Sequence, residues 1–469
     1  MAIELPRIKA AYIGLSLELY LRTGSKIGEW RTAFENWSQK LADIADVRYK
    51  KLCFTDDEVT EAAANITASG AEVIVLSAVS YTPSMLIVPM IKKLGLPVVI
   101  WSTQDSAVIR DGYEPDDLTL NHTVQGIQDV TNVLFQSGVK YSIVTGHWQD
   151  EKILRKLADE LAVLRAASAA KNIKVRSLAG AFAGMGDFDF DPDELRGKWG
   201  PQSVNIEADE FLDAVSKVDE SAVIQQRQED LQKFEIEPSL QAETHLESIR
   251  RMIAVKNLLA QYRANAFTMN FTRLLDNNFG QLPFYAINCL MAEGVGYAGE
   301  GDVLRAAAMR QLIELTGEAN FSEIYTVDFK RDLFFMSHMQ ECNIAIARKD
   351  RKVRLKSMPF WAPGAPDYTG MFFTAEPGDY TLVCITPDCG GGFRMLTLSG
   401  NVPDLPVIET YNRAYWLFRP QIPVTEALDR YSIFGGAHHL SAVKGNQTAI
   451  LEKLAKQLGF AFKSLDFPL

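Results

Sequence analysis

Residues 297–339 bring together side chains that could hold a metal ion or move protons. Glu300 stands in a Gly-Glu-Gly-Asp sequence, and Asp302 precedes a run of good helix formers over 304–315. Asp302 is therefore predicted to be the N-cap of a helix, and Glu300 a loop residue just before it. The pattern places one carboxylate in a loop and a second at a helix start.

Glu323 and His338 belong to a predicted β-hairpin that follows this helix. A turn centred between Lys330 and Arg331 places Glu323 opposite His338, with Cβ atoms about 4.5–5.5 Å apart. A carboxylate and an imidazole at that separation can share one metal ion. The pairing depends on the register, because a slip of one residue turns one side chain to the other face. The alternative to a metal site is an ordinary hairpin, in which the glutamate is solvated and the histidine lies at the edge of the core.

Two adjacent histidines, His438 and His439, follow Gly435 and Gly436 near the end of the chain. The glycines allow close approach of the backbone to another group. Adjacent residues of a strand point to opposite faces, so only one of the pair is expected to join a given site easily. A turn that merely carries polar residues has the same pattern.

The composition narrows the class of protein. The chain has 469 residues, a formal net charge of −11 and no long run of Lys or Arg. That balance argues against nucleic acid or an anionic membrane as a partner. No apolar run approaches the roughly 20 residues that span a bilayer, and no signal peptide is expected. Five scattered cysteines without C-x-x-C spacing indicate a reducing, cytoplasmic location.

The elements that must position these residues are short apolar strands alternating with helices, which predict parallel α/β sheets. No glycine-rich fingerprint follows the first strand, so a dinucleotide site there is not expected. After residue 340, short β-like runs separated by Pro and Gly predict an antiparallel barrel or sandwich. We expect two doubly wound parallel-sheet domains of Rossmann or flavodoxin-like type and a C-terminal antiparallel β-barrel-like domain, over residues 1–171, 172–316 and 317–469.

Two other features are expected to be structural. The run GAFAGMG at 180–186 is rich in glycine but lacks G-x-G-x-x-G spacing, which favours a flexible turn between a strand and a helix. His245 lies in a strongly helical, charged region and is predicted to be a surface residue.

Four segments resemble the L-arabinose isomerase family, within the wider arabinose and fucose isomerase fold. The GEGD, SHM and GGAHH elements, in this order, are highly specific to the family. The first 110 residues match the family only loosely. The resemblance implies reversible isomerisation between an aldose and a ketose, with L-arabinose or a related sugar as substrate. The matching segments are VTGHWQD (144–150), QLPFYAINCLMAEGVGYAGEGD (281–302), FSEIYTVDF to SHMQEC (321–342) and FGGAHH (434–439).

The resemblance also implies one divalent metal ion, usually Mn²⁺, held by Glu300, Glu323, His338 and His439. A mixed shell of oxygen and imidazole ligands also suits Co²⁺ or Fe²⁺. Glu300 and Glu323 are then the catalytic pair, one acting at carbon and the other at a hydroxyl group, and the residues leave open which does which. His438 is expected to orient a hydroxyl group.

The family's sugar pocket falls on Met185, Phe271 and Tyr325, which ordinary core packing would explain as well. Its sugar-recognition part falls on Leu17 and Gln104, at the ends of predicted strands of the first domain. The resemblance thus implies a pocket with contributions from both ends of the chain.

Two departures from the family lie in that recognition part. Leu17-Glu18 replaces a glutamine-histidine pair, and Ser102 replaces a histidine, although His122 nearby could supply an imidazole instead. A site that loses a hydrogen-bonding partner discriminates strongly between substrates. The reaction is therefore expected to persist while the sugar differs.

Two alternatives to an L-arabinose isomerase stay open. One is an isomerase of another sugar, such as L-fucose or another deoxy or branched aldose. The other is a non-catalytic sugar-binding protein of the same fold, against which four intact metal-binding side chains argue. In either case the resemblance implies a homo-oligomer, a trimer or hexamer.

Overall fold

The computed structural model consists of two compact units, Pro6–Arg165 and Ala166–Leu469, the second together with residues 1–5. None of the helices in the described part of the chain is long and apolar enough to cross a membrane. The predicted domain boundaries at 171 and 316 stay predictions. The structure describes residues 3–23, 26–276, 279–360, 362 and 364–467.

The unit Pro6–Arg165 contains the first predicted parallel sheet. Its strands are β1 (Lys9–Leu15), β2 (Asp46–Cys53), β3 (Val73–Ala78), β4 (Val98–Ser102) and β5 (Tyr141–Thr145). All neighbours are parallel, in the order β2-β1-β3-β4-β5. Along β1, Ala11 and Ile13 enter one hydrophobic core, and Ala10 and Tyr12 enter another. The sheet is therefore covered by apolar side chains on both faces, as parallel sheets are.

The helices of this unit begin and end at recognisable local signals. In the third helix, the Thr55 hydroxyl accepts a hydrogen bond from the Glu58 backbone N–H, and the Glu58 carboxylate accepts one from the Thr55 backbone N–H. Gly70 ends it with φ of +68°. The helices are α1 (Leu19–Thr23), α2 (Ile27–Ala42), α3 (Asp56–Ser69), α4 (Val88–Leu94), α5 (Pro115–Leu120), α6 (Val124–Gln136) and α7 (Glu151–Ala169).

The second unit contains the second predicted parallel sheet. The first strands of this unit are β6 (Lys174–Leu178), β7 (Gln202–Ile206), β8 (Glu235–Ile236), β9 (Ala266–Met269) and β10 (Gly296–Ala298). Four of them form a parallel sheet in the order β10-β9-β6-β7. The α/β prediction for this region is confirmed.

The later strands are mainly antiparallel, as predicted. They are β11 (Asn320–Asp328), β12 (Leu333–Ser337), β13 (Arg354–Met358), β14 (Tyr368–Phe372), β15 (Gly378–Pro387), β16 (Phe393–Val402), β17 (Trp416–Pro420), β18 (Leu440–Lys444) and β19 (Ala461–Ser464). Seven form one sheet, β15-β18-β11-β12-β17-β16-β19, in which β15 also pairs with β16. A smaller sheet has the order β14-β13-β8. The barrel-like form of the large sheet stays a prediction.

One buried helix, α14 (Val303–Thr316), joins these sheets. It packs against β9 and β10 of the parallel sheet and against β15 and β18 of the antiparallel one. Its apolar side chains are therefore buried around most of its circumference. The other helices are α8 (Pro192–Lys198), α9 (Ala208–Ser216), α10 (Glu220–Lys233), α11 (Ala242–Gln261), α12 (Phe271–Asp276), α13 (Phe284–Ala292), α15 (Val424–Ile433) and α16 (Thr448–Leu458).

The predicted hairpin is present, but its register near the site differs from the prediction. The pairs closest to the turn have the predicted register, and a bulge at Tyr325 then shifts it by one residue. Glu323 consequently lies opposite Ser337 and not opposite His338. A bulge inserts one extra residue into one strand and changes the direction of nearby side chains. His338 follows the end of β12, so the pleat of the strand does not fix its direction.

The prediction for His245 is wrong, because its side chain is buried. It is 1% exposed, and its Nε2 lies 3.0 Å from Asp230 Oδ2. Tyr285 donates its hydroxyl to the same oxygen at 2.6 Å. The reason is that α11 packs against both α10 and α13, so the face that carries His245 has no access to solvent.

The packing of α14 predicts a large effect of truncating it. Replacing Leu312, which is fully buried, by alanine is expected to lower the free energy of unfolding by about 2–5 kcal/mol. Leu231→Ala, at a leucine that is 46% exposed, is the control, with an expected change within about 0.5 kcal/mol. Urea unfolding measures both, and equal effects would contradict the central position of α14.

Candidate active site

The turn before α14 has the predicted form. Asp302 caps the helix, since its Oδ1 accepts a hydrogen bond from the Arg305 N–H at 2.9 Å. Glu300 has φ of +61° and Gly301 φ of +84°, so the turn uses two consecutive left-handed residues. That conformation is uncommon for a residue with a side chain and is often found at functional sites. It holds Glu300 in a fixed position at the carboxyl end of β10.

The four predicted metal ligands converge. His338 Nε2 lies 3.2 Å from His439 Nε2 and 3.6 Å from Glu323 Oε1. His439 Nε2 lies 3.7 Å from Glu323 Oε1 and 3.9 Å from Glu300 Oε2. Glu323, His338 and His439 form one set of potential ligands whose atoms lie within 4.8 Å of one another. The bulge in the hairpin therefore changes the strand pairing without separating Glu323 from His338.

Each of the two buried histidines is held by a carboxylate at its other ring nitrogen. Asp302 Oδ2 lies 2.9 Å from His439 Nδ1, and Glu341 forms a close ion pair with His338 Nδ1. Glu341 in turn accepts a hydrogen bond from the Tyr297 hydroxyl. Sequence reasoning missed Glu341, Tyr297 and the second role of Asp302. The one local signal was that Glu341 follows His338 by three residues.

This arrangement fits a divalent cation. A carboxylate only accepts hydrogen bonds, so each Nδ1 next to one carries the proton. In the neutral rings, the lone pairs of His338 Nε2 and His439 Nε2 then face each other at 3.2 Å. Two acceptors cannot bond to each other, but both can bind a metal ion, and carboxylates commonly fix metal-binding histidines in this way. With Glu300 and Glu323 the donor set is two imidazole nitrogens and carboxylate oxygens.

The charges of these groups depend strongly on one another. Burial lowers the pKa of His338, but Glu341 and neighbouring glutamates raise it more, to about 9. Burial also lowers the pKa of His438, while Asp187 and nearby carboxylates raise it to about 10. Burial raises the pKa of Glu300, yet its imidazole neighbours bring the net value below the ordinary one. Cation binding would therefore displace protons from imidazole.

His438 also reaches this cluster, contrary to the expectation for neighbouring residues. Its Nε2 lies 3.8 Å from Glu300 Oε2 and 3.7 Å from Glu323 Oε1, and the ring centroids of His438 and His439 are 4.0 Å apart. The alternation of a strand does not apply, because both residues precede β18 in a turn. Glu300, His438 and His439 form a second, overlapping set of potential ligands.

A cavity of about 190 Å³ adjoins the cluster. Of the predicted pocket residues, Phe271 and Tyr325 line it, together with Glu300, Glu323 and His338. Met185 is half-buried in the segment between β6 and α8 and is not among the lining residues. Sequence reasoning missed the other lining residues, which include Phe284, Met339, Pro359, Phe360, Tyr368 and Arg413.

Leu17 and Gln104 belong to the other unit and follow the carboxyl ends of β1 and β4. Leu17 is half-buried, and the Gln104 side-chain amide donates to the Ser106 carbonyl at 2.7 Å. Ser102 is buried, and the His122 ring stacks on Tyr81 with centroids 5.3 Å apart. The predicted role of these residues in sugar recognition stays a prediction.

Two family models match consecutive parts of the second unit. The model of the L-arabinose isomerase central domain matches residues 194–318, and that of the C-terminal domain matches residues 318–461. Together they cover more than half of the chain and include all four converging residues.

Curated relatives match over most of their length. The L-arabinose isomerase of Yersinia pseudotuberculosis is 27% identical over 439 residues, which is 89% of this chain and 85% of the relative. The L-arabinose isomerase of Klebsiella pneumoniae is 28% identical over 412 residues, which is 83% of this chain and 80% of the relative. The L-arabinose isomerase of Escherichia fergusonii is 27% identical over 383 residues, which is 77% of this chain and 74% of the relative. The chain therefore belongs to the L-arabinose isomerase family, a family of aldose–ketose isomerases.

Proposed function

We propose that this protein is a metal-dependent aldose–ketose isomerase that converts L-arabinose to L-ribulose, or acts on a closely related sugar. The observation that carries the proposal is the convergence of two glutamates and two histidines beside a cavity. The similar proteins also support the proposal, because they are named L-arabinose isomerases. A non-catalytic binding protein has no need for such a set of converging groups.

The proposed cofactor is one divalent ion, Mn²⁺, with Co²⁺ or Fe²⁺ as alternatives. Glu300, Glu323, His338 and His439 would hold it. When bound, such an ion supplies Lewis-acid stabilisation of negative charge that develops on the sugar oxygens. The support for this set is that carboxylates hold both histidines with their Nε2 atoms directed at one point.

Glu300 and Glu323 are the proposed acid and base. Isomerisation moves a proton between C1 and C2 of the sugar and another between their oxygens, by way of an enediol. Glu300 has a lowered pKa, so it is ionised at neutral pH and can accept a proton. Glu300 and Glu323 both line the cavity, so either can face the reacting carbons.

The remaining walls suit a small sugar. The aromatic rings of Phe271 and Tyr325 offer apolar surface to the C–H groups of the sugar, and both line the cavity. His438 is proposed to orient a hydroxyl group. The departures at Leu17-Glu18 and Ser102 favour a second candidate, an isomerase of another aldose such as L-fucose, in which the same chemistry acts on a different hydroxyl pattern.

We also propose a cytoplasmic homo-oligomer, a trimer or hexamer, without nucleic-acid or membrane partners. The cysteines are free, which fits a reducing compartment. Several large apolar side chains are exposed in the unit Pro6–Arg165, including Val108 at 64%, Ile109 at 83% and Phe135 at 78%. These side chains are available for contacts between subunits.

The proposed acid–base role predicts the effect of removing one carboxylate. Glu300→Gln is expected to lower kcat by about 10²–10⁴-fold, because the amide cannot accept the proton. The assay is Mn²⁺-supplemented turnover of L-arabinose, L-fucose, D-galactose and L-ribose. Glu243→Gln, at an exposed glutamate of α11, is the control and should keep full activity. Full activity of the Glu300 variant would rule out the assignment.

The carboxylate behind His338 predicts an effect on metal affinity. Glu341→Gln is expected to weaken Mn²⁺ binding by about 10–100-fold, because the ring loses the negative charge that fixes its proton on Nδ1. Equilibrium dialysis with metal analysis gives the dissociation constant, and Glu243→Gln again serves as control. An unchanged affinity would show that the ion lies elsewhere. A wild-type chain that binds one metal ion but turns over none of the sugars would place the substrate outside this panel, and a chain with neither turnover nor bound metal would favour the binding-protein alternative.

A further inference from the structure

The glycine-rich segment 180–188 between β6 and α8 is attached to the candidate site. The Phe182 N–H donates to the Glu300 carbonyl at 2.8 Å, and the Arg305 guanidinium donates to the Asp187 carbonyl at 2.6 Å. A Cβ added to Gly301 would lie 2.2 Å from the carbonyl oxygen of Gly180. The Glu300 turn and this segment therefore touch through their backbones, and Asp187 is held close to the histidine pair.

Asp187 contacts His438 through a single oxygen. Its Oδ2 lies 2.6 Å from His438 Nδ1 and 3.1 Å from the His438 backbone nitrogen. The carboxylate can only accept, so the Nδ1 proton and the backbone N–H both point at it. These two bonds fix the ring relative to its own backbone. The next residue, Phe188, stacks on His439 with ring centroids 5.4 Å apart.

The other nitrogen of His438 is directed at the reaction centre. Nε2 lies 3.8 Å from Glu300 Oε2 and 3.7 Å from Glu323 Oε1, beyond hydrogen-bonding distance of either. The Nε2 atom is enclosed, although the His438 side chain as a whole is 31% exposed, and at these distances it makes no hydrogen bond within the described ranges. A buried imidazole nitrogen between two carboxylates requires a partner, and a hydroxyl group of a bound sugar would supply it.

We propose that Asp187 is a positioning residue, which holds His438 so that Nε2 meets a sugar hydroxyl between Glu300 and Glu323. The inference rests on the proposed isomerase function and extends it to a residue outside the four predicted ligands. Asp187 touches neither the sugar nor the proposed metal ion, so its effect passes through His438 alone. The competing role is that His438 is itself a metal ligand, with Glu300 and His439.

The test compares Asp187→Asn and Asp187→Glu with Asp189→Asn, a matched control at the exposed aspartate that directly follows this segment. The Asn variant should lose about 10–100-fold in kcat, with unchanged metal content and an unchanged KM for the sugar. The Glu variant, which keeps the negatively charged carboxylate, should recover part of kcat. The control should behave as the wild type.

A second readout needs neither metal nor turnover. The chain has six histidines, so ¹⁵N-histidine labelling of the metal-free protein gives few side-chain signals. The Nδ1 proton of His438, assigned with a His438→Gln variant, should be shifted downfield and protected from exchange in the wild type. Asp187→Asn, whose neutral amide oxygen is a weaker acceptor than a carboxylate, should reduce both properties, and Asp189→Asn should preserve them.

Each contrary outcome overturns the positioning role. An unchanged kcat in Asp187→Asn, or an unchanged His438 proton signal, shows that the ring is held by other contacts. A loss of activity that follows a loss of bound metal makes His438 a ligand. Absence of turnover in the wild type, together with the expected proton signal, instead rejects the proposed isomerase function and leaves the Asp187 contact in place.

Discussion

The site depends on two imidazole rings whose Nε2 atoms face each other at 3.2 Å. Asp302 holds the Nδ1 of His439 at 2.9 Å, and Glu341 holds the Nδ1 of His338. Both rings are thus fixed from the side away from the centre, and their lone pairs are directed at each other. Such an arrangement is stable when a proton or a cation lies between the two nitrogens, so the pair is consistent with a divalent metal ion.

The rest of the second unit brings these rings together. Asp302 begins α14, which is buried between the parallel and antiparallel sheets, so the same residue caps a helix and orients His439. Glu300 stands on the strained turn just before it. His338 arrives at the end of the hairpin, and His439 in the turn before β18. The site therefore forms where three separate segments meet at the start of one buried helix.

Local signals in the sequence predicted much of this, and long-range contacts account for the rest. The capping role of Asp302 and the loop position of Glu300 depend only on neighbouring residues, and both are confirmed. The bulge at Tyr325 was missed because β11 pairs with β18 over its first residues and with β12 over its last, a change of partner that no local pattern indicates. Asp187 reaches His438 across 251 positions of the chain.

The most direct test of a metal centre is a crystal structure of the protein grown with Mn²⁺, with diffraction recorded at the manganese absorption edge. We expect one anomalous peak per chain, in contact with the Nε2 atoms of His338 and His439 and with carboxylate oxygens of Glu300 and Glu323. A peak elsewhere, or no peak at saturating Mn²⁺ with the four side chains in the same positions, would contradict it.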